Sequence, residues 1–291
     1  MSYENPQQPE GINVSDEHPV RDLFMLLSAV IAGVVILVIV LSTIASWLAQ
    51  FVPFSTEQQL AEVIGIERMF VADTSDNTPP DPQVQARKDY VLTLSQQLIE
   101  QADLDEDMSI TVHYSPSKTV NAFAMLGGHV VMYEGLVSKL PNENALAMVL
   151  AHEIAHIKLR HPIVAMSRGL TVSLALGSFF GMTDNAFVGR IVEWIGYSST
   201  LSYSRDQERD ADAFASQLLI NHYGHLNGAE DLFEAFQSAY ADTDMQGMIP
   251  TVEFLSTHPG LDERIDELRE QASDLGSSGT PVPLPWAEIK N

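Results

Sequence analysis

"VLAHEIAHIKLRHP", residues 149–162, sets two histidines four places apart with a glutamate directly after the first. On an α-helix, residues i and i+4 lie on one face, a turn apart. His152 and His156 can therefore aim two imidazole nitrogens at one ion. Glu153 sits about 100° round the helix from His152, badly placed as a further ligand but able to reach a water on that ion. The upstream run Ala145, Leu146, Val149, Leu150 predicts a buried helix start that holds both histidines. Asn142 after Pro141 is the candidate N-cap, and Pro162 predicts that the helix stops near His161. An amphipathic helix that merely carries histidines has the same spacing, so the motif needs a third ligand before it means a metal site.

The chain has no cysteine. Disulfides, iron–sulfur clusters and thiolate zinc sites are excluded, and any metal must rest on His, Asp or Glu. One familiar solution places Gly three and His six residues beyond the second histidine. Those positions hold Leu159 and Pro162, so that class is excluded. His161, five residues on, falls on another face and is expected behind the site or at the surface. A later segment, "ERDAD" at 208–212, supplies the alternative. Glu208 is the candidate third ligand. Asp212, one turn on, can accept the second ring N–H of His152 or His156, as carboxylates behind ligating histidines do.

The 291 residues include 39 acidic and 15 basic ones, a formal net charge of -24. Such a chain repels phosphate backbones, and no nucleic-acid partner is expected. From Leu23 to Thr56 there is no charged residue, and Leu23–Leu48 is almost continuously apolar. That run exceeds the roughly 20 helical residues that cross a bilayer. It is too long, and its leader too acidic, for a cleaved signal peptide. Trp47 and Phe51 suit an interfacial position, and Pro53 marks the helix end. Arg21 precedes the run and the next basic residue is Arg68. The positive-inside rule then favours a cytoplasmic N-terminus with the following domain on the far side.

Residues 84–101 show helical spacing, and "SITVHYS" (109–115) alternates as a strand does. Residues 121–137 predict two short strands around Gly127-Gly128, a hairpin. Two apolar pieces, 169–182 and 186–197, are short for membrane spans and are expected as a helical hairpin, packed on the domain or dipping into the interface. Ser204 with Gln207 makes a capping-box pattern, with Gly224 as the stop. Further helices are expected at 227–240 and 261–275. The Gly/Ser/Pro-rich end is expected to be loose.

Four segments in order, "NAFAMLGGHVVMYEGL", "HEIAHIKLRH", "SRDQERDAD" and "STHPGLDERI", carry a resemblance. The chain resembles the HtpX-like and CAAX-prenyl-protease-type zinc peptidases, metallopeptidase family forty-eight, across about half its length. The resemblance implies one zinc ion per chain on His152, His156 and Glu208, with Glu153 as the catalytic glutamate and Asp212 as the acid behind. It implies a strand at Asn121, Ala122 and Phe123 beside the cleft, where an extended polypeptide could add as another strand. His258 matches a histidine near the cleft whose role stays open between transition-state contact, gate and structural element. For the donor to the developing oxyanion, His258, Tyr203 and Arg205 are candidates. The family's members of HtpX type carry more membrane spans than this chain, which has one clear span.

The expected fold is mainly α with a small β-sheet, a zincin-like domain behind one N-terminal transmembrane helix. The expected layout is a disordered segment at 1–22, an anchor at 23–51, the metallopeptidase domain at 57–275 and a flexible tail at 276–291. The expected function is membrane-anchored, zinc-dependent cleavage of membrane-associated or misfolded proteins. The expected place is a bacterial inner membrane, with the domain on the periplasmic side and the cytoplasmic face left open. The rival readings are a tethered chaperone or binding protein whose zinc is structural, closed by a fourth ligand such as His258, and a membrane scaffold without metal.

Overall fold

A computed structural model describes residues 18–67, 81–179, 181, 203–233, 235–236, 258–276 and 279–286. The chain divides into two units, the first ending at Leu41. Helix α1, Pro19–Ala49, runs through the first unit into the second. Its 31 residues extend about 46 Å at 1.5 Å per residue, more than a bilayer's hydrocarbon core of about 30 Å. Its large apolar side chains, from Val20 to Leu48, are exposed. By length and composition it can cross a membrane.

In the second unit, α2 (Phe54–Ile64) is followed by α3 (Pro82–Gln101). Asp81 caps α3, its side chain accepting from the Gln83 N–H at 2.8 Å, and Pro82 sits where a missing N–H costs nothing. Strands β1 (Thr111–Ser115), β2 (Ala122–Met125) and β3 (His129–Tyr133) form a sheet in the order β1-β3-β2. The predicted hairpin is present: β2 and β3 pair antiparallel, Ala122 opposite Met132 and Met125 opposite His129, around Leu126–Gly128. β1 pairs with β3 in parallel, so β2 is an edge of this sheet. A short helix α4 (Glu134–Val137) leads to α5 (Glu143–Lys158), the helix of the two histidines.

Helix α5 is the axis of the domain. Every residue from Asn144 to Ile157 is buried. Four alanines, at 145, 147, 151 and 155, let neighbouring elements approach, while Leu146, Leu150 and Ile154 fill the core between α3, the sheet and α7 (Arg205–Tyr223). Each such aliphatic chain contributes about 1.5–3 kcal/mol on burial. Asn142 caps the helix by accepting the Ala145 N–H at 2.8 Å. The C-terminal end differs from expectation. The helix closes at Lys158, Arg160 takes a left-handed conformation (φ 61°), and a new helix, α6 (His161–Phe179), begins. Pro162 opens this helix instead of stopping the previous one, because a proline in a first turn leaves no hydrogen bond unmade.

The apolar piece expected at 169–182 continues from α6. That helix is buried from His161 to Met166, and its Val172, Leu174, Leu176 and Phe179 are exposed. The second piece, 186–197, lies outside the described residues, as does most of the helix expected at 227–240. Helix α7 carries both halves of the predicted capping box, Ser204 with Gln207, and ends at Gly224 (φ 77°). Helix α8 spans Leu261–Leu275. Residues 279–286 fall in the segment expected to be loose, yet they run along the start of α5. Val282 accepts from the Glu143 N–H at 2.9 Å and donates to Asn144 Oδ1 at 2.8 Å, and Leu284 is fully buried. Three prolines stiffen this stretch and lower the entropy lost on docking.

The turn between β2 and β3 depends on glycine. At Gly128 φ is 85°, and a Cβ there would stand 2.0 Å from the Ser109 carbonyl oxygen. Gly128→Ala is expected to destabilise the domain by more than about 1 kcal/mol, read as an earlier midpoint in chemical denaturation.

Candidate active site

Helices α5 and α7 pack side by side and bring together residues more than fifty positions apart. The Nε2 atoms of His152 and His156 lie 3.0 Å apart. Glu208, from the first turn of α7, presents Oε2 at 3.5 Å from His152 Nε2 and Oε1 at 3.6 Å from His156 Nε2. His258, just before α8, places Nδ1 3.2 Å from His152 Nε2 and 3.1 Å from both Glu208 oxygens. All four side chains are buried, with ligand atoms within 4.8 Å of one another. Donors about 2.0 Å from a tetrahedral ion stand about 3.3 Å apart, and these spacings match. Three imidazole nitrogens and a carboxylate converge on one point. A nitrogen has one lone pair or one proton, so mutual hydrogen bonds cannot satisfy this set, whereas one divalent cation can. The donor set therefore fits a metal.

The second nitrogens of both α5 histidines are also held. His152 Nδ1 lies 2.9 Å from Asp212 Oδ1, which fixes the ring with Nε2 facing the cluster. His156 Nδ1 meets His161 Nδ1 at 2.8 Å. The left-handed turn at Arg160 folds α6 back and puts His161 behind the site. Tyr203 stacks on the His156 ring, centroids 3.9 Å apart and planes 16° from parallel.

One buried residue was given no role in the sequence reading. Arg264 on α8 grips Asp212 through Nε (2.5 Å) and Nη2 (2.8 Å) and reaches Glu208 Oε2 with Nη1 at 2.7 Å. It ties the third ligand to the acid behind the first. Arg264 lies inside the quoted "STHPGLDERI", six residues after His258, but a lone arginine on a charged helix gives no sequence signal of burial. Arg205 differs: it is mostly exposed and pairs with Glu263 at 3.5 Å. Tyr203 donates its O–H to the Ala124 carbonyl of β2 at 3.3 Å. Ala122 and Phe123 lie on that edge strand, and buried Asn121 precedes it, its Oδ1 accepting the Ala122 N–H.

The electrostatics divide the site in two. Burial raises the carboxyl pKa of Asp212 and Glu208, but their basic neighbours outweigh it and both stay ionised. Those neighbours are His152 and Arg264 for Asp212, and His258 and His152 for Glu208. Burial also works against a charged His152, yet hydrogen bonds from Asp212 and Glu208 prevail and lift it to about 9. His156 goes the other way, held neutral by burial and by the positive groups around it. For Glu153, burial dominates and raises the carboxyl, opposed by His258 and His152. Glu153 is wholly buried, and neither of its oxygens has a partner in full hydrogen-bond geometry among the described residues. Its nearest ion-pair partner is His258 Nε2, at 3.6 Å from Oε1.

Two outcomes follow for metal loading. Replacing Asp212 with Asn is expected to weaken zinc binding by roughly 10–100-fold in a chelator competition. In the metal-free protein His152 keeps a proton up to about pH 9, and an entering cation must displace it. Zinc affinity should therefore rise by roughly tenfold per pH unit from neutrality and level off above that value, with about one proton released in calorimetry at pH 7.

The comparisons with known proteins agree with this geometry. Residues 85–272 match the model of "Peptidase family M48". The mitochondrial metalloendopeptidase OMA1 of Schizosaccharomyces pombe is 29% identical over 165 residues, covering 56% of this chain and 47% of that protein. The beta-barrel assembly-enhancing protease of Yersinia pestis is 30% identical over 202 residues, 64% of this chain and 39% of that one. The metalloprotease YcaL of Escherichia coli is 27% identical over 155 residues, 52% and 58%. The chain thus spans from about two fifths to somewhat over half the length of these relatives. The family match takes in both ligand-bearing helices, β2 and His258, and on that ground the chain belongs to peptidase family M48.

Proposed function

We propose that the protein is a zinc-dependent endopeptidase, held at a membrane by Leu23–Leu48, that cleaves membrane-associated or misfolded polypeptides. The observation that carries the reading is Glu153. A carboxylate buried without hydrogen-bond partners costs several kcal/mol, and a purely structural metal site has no use for one. A hydrolase does. His152, His156 and Glu208 would hold the ion, and Asp212, His161 and Arg264 would keep those side chains aligned. Zinc at that point supplies Lewis acidity, polarising the scissile carbonyl and acidifying the attacking water. Glu153 takes a proton from that water and returns it to the leaving amine. Its burial-raised pKa suits both steps.

The substrate would lie along β2, whose outer edge is unpaired within the sheet. An extended peptide added there places its backbone beside Glu153. Tyr203 stays protonated, because burial and the nearby Glu153 and Glu208 raise its pKa well above normal, so it keeps an O–H to donate. Tyr203 or His258 would then steady the developing oxyanion. Arg205, at the surface, gains no support for that role. Arg21 before the anchor, and no basic residue after it until Arg68, favour a single-pass bacterial inner-membrane protein with its domain on the periplasmic side. Relatives named for mitochondrial and beta-barrel-assembly roles are compatible with that setting.

A second reading has one observation in its favour. With His258 the cluster offers four donors, the number that closes a structural zinc site. Two variants separate the readings. Glu153→Gln should retain zinc while turnover of a casein or unfolded-protein substrate falls by roughly 10²–10⁴-fold. Full cleavage by that variant removes Glu153 from the chemistry. His258→Ala should keep its zinc on the other three ligands. If it loses the ion and unfolds, the site is structural.

A further inference from the structure

The stretch Ser46–Glu57, where α1 gives way to α2, is bonded to three parts of the frame around the site. Arg168 on α6 donates through Nε to Ser46 Oγ at 3.2 Å and through Nη2 to Gln207 Oε1 at 3.3 Å. That same Gln207 oxygen accepts the Ser204 N–H at 3.1 Å, which completes the cap of α7 one residue before Glu208. Arg160, in the left-handed turn just past α5, donates to the Val52 carbonyl at 2.8 Å and to Glu57 Oε2 at 3.1 and 2.8 Å. Its guanidinium lies over the Phe54 ring, 5.4 Å from the centroid. The other oxygen of Glu57 accepts the Gly127 N–H at 3.1 Å, in the turn that ends β2. Glu57 is buried, so breaking this ion pair would strand a charge. A segment that serves only as a flexible tether needs none of these bonds.

We propose that Arg160 and Arg168 are positioning residues that clamp the exit of the membrane anchor to both ligand-bearing helices and to the edge strand, so that the seating of the anchor in the bilayer sets how well His152, His156 and Glu208 converge. This rests on the anchored-endopeptidase reading above. Neither arginine is bonded to a ligand of the cluster; each acts through a neighbour, Arg168 through Gln207 and Arg160 through the end of α5 and the Gly127 turn. Helix α1 is unbroken to Ala49, three residues past Ser46. An apolar helix longer than the bilayer is thick must tilt or deform the lipid, and the amount depends on thickness. Ser46 moves with it. Arg168 passes that movement to the α7 cap, and a ligand set is sensitive to displacements below an ångström.

The test uses the full-length protein in phosphatidylcholine vesicles of short, intermediate and long acyl chains. It reads kcat and KM on a fluorogenic peptide, and zinc affinity by chelator competition. For the wild type, kcat should change by roughly threefold or more across the series, zinc affinity should move with it, and KM should hold. Arg168→Met keeps the aliphatic stem but loses both bonds. It should flatten the lipid dependence and weaken zinc roughly tenfold. Arg168→Lys should restore part of each. Ser46→Ala, a small change far from the ligands, should also flatten the dependence without moving the unfolding midpoint. A wild type with the same kcat and zinc affinity in every lipid, or variants that follow its dependence unchanged, overturns the clamp. A wild type that binds zinc but cleaves nothing in any lipid overturns the endopeptidase reading instead. Zinc affinity across the lipids then still decides whether the clamp stands.

Discussion

Everything in the domain follows from placing charge inside the hydrophobic core and balancing it there. Helix α5 is buried along its whole middle, and that middle carries His152, Glu153 and His156. Apolar packing around Leu146, Leu150 and Ile154 fixes the helix so firmly that its polar side chains cannot turn to water. They must be matched from neighbouring elements. α7 supplies Glu208 and Asp212, α8 supplies Arg264, and the start of α6 supplies His161. Each is buried or nearly so and placed within contact of its partner. The core is thus organised around an electrostatic problem, and Glu153 is the one carboxylate left unmatched.

This arrangement explains the division of labour between the two carboxylates nearest the histidines. Glu208 and Glu153 occupy similar depths, but basic groups surround the first and mainly burial acts on the second. One is locked in its charged form and suited to hold a cation. The other sits closer to the point where a proton can come and go. Chemistry at neutral pH needs that difference, and it is set by which helix each residue stands on.

Much of this could be read from the chain. The four-residue spacing of His152 and His156 fixes their shared face, and the second spacing, Glu208 to Asp212, gives a ligand with its supporting acid. Alternation and Gly127-Gly128 give the hairpin, and Ser204 with Gln207 gives the α7 cap. What escaped has a common cause: it arises where separate segments meet. Arg264 looks like any solvated arginine until α8 lies against α7. His161 looks remote from His156 until Arg160 reverses the chain. Pro162 reads as a stop, because a local rule cannot tell the end of one helix from the first turn of another. The stretch 279–286 has the composition of a loose tail, yet it docks through backbone bonds to Glu143 and Asn144 that no composition reveals.

The two-residue junction between α5 and α6 has a practical corollary. A chain that reverses through Leu159 and a left-handed Arg160 has no slack, and one extra residue there would rotate everything after it by about 100°. His161 would swing out from behind His156, and Arg160 would let go of Glu57. Reporter epitopes, purification tags and permuted termini therefore have to be grafted elsewhere. Loop-length engineering at this spot offers no gradual adjustment, only a working register or a lost one.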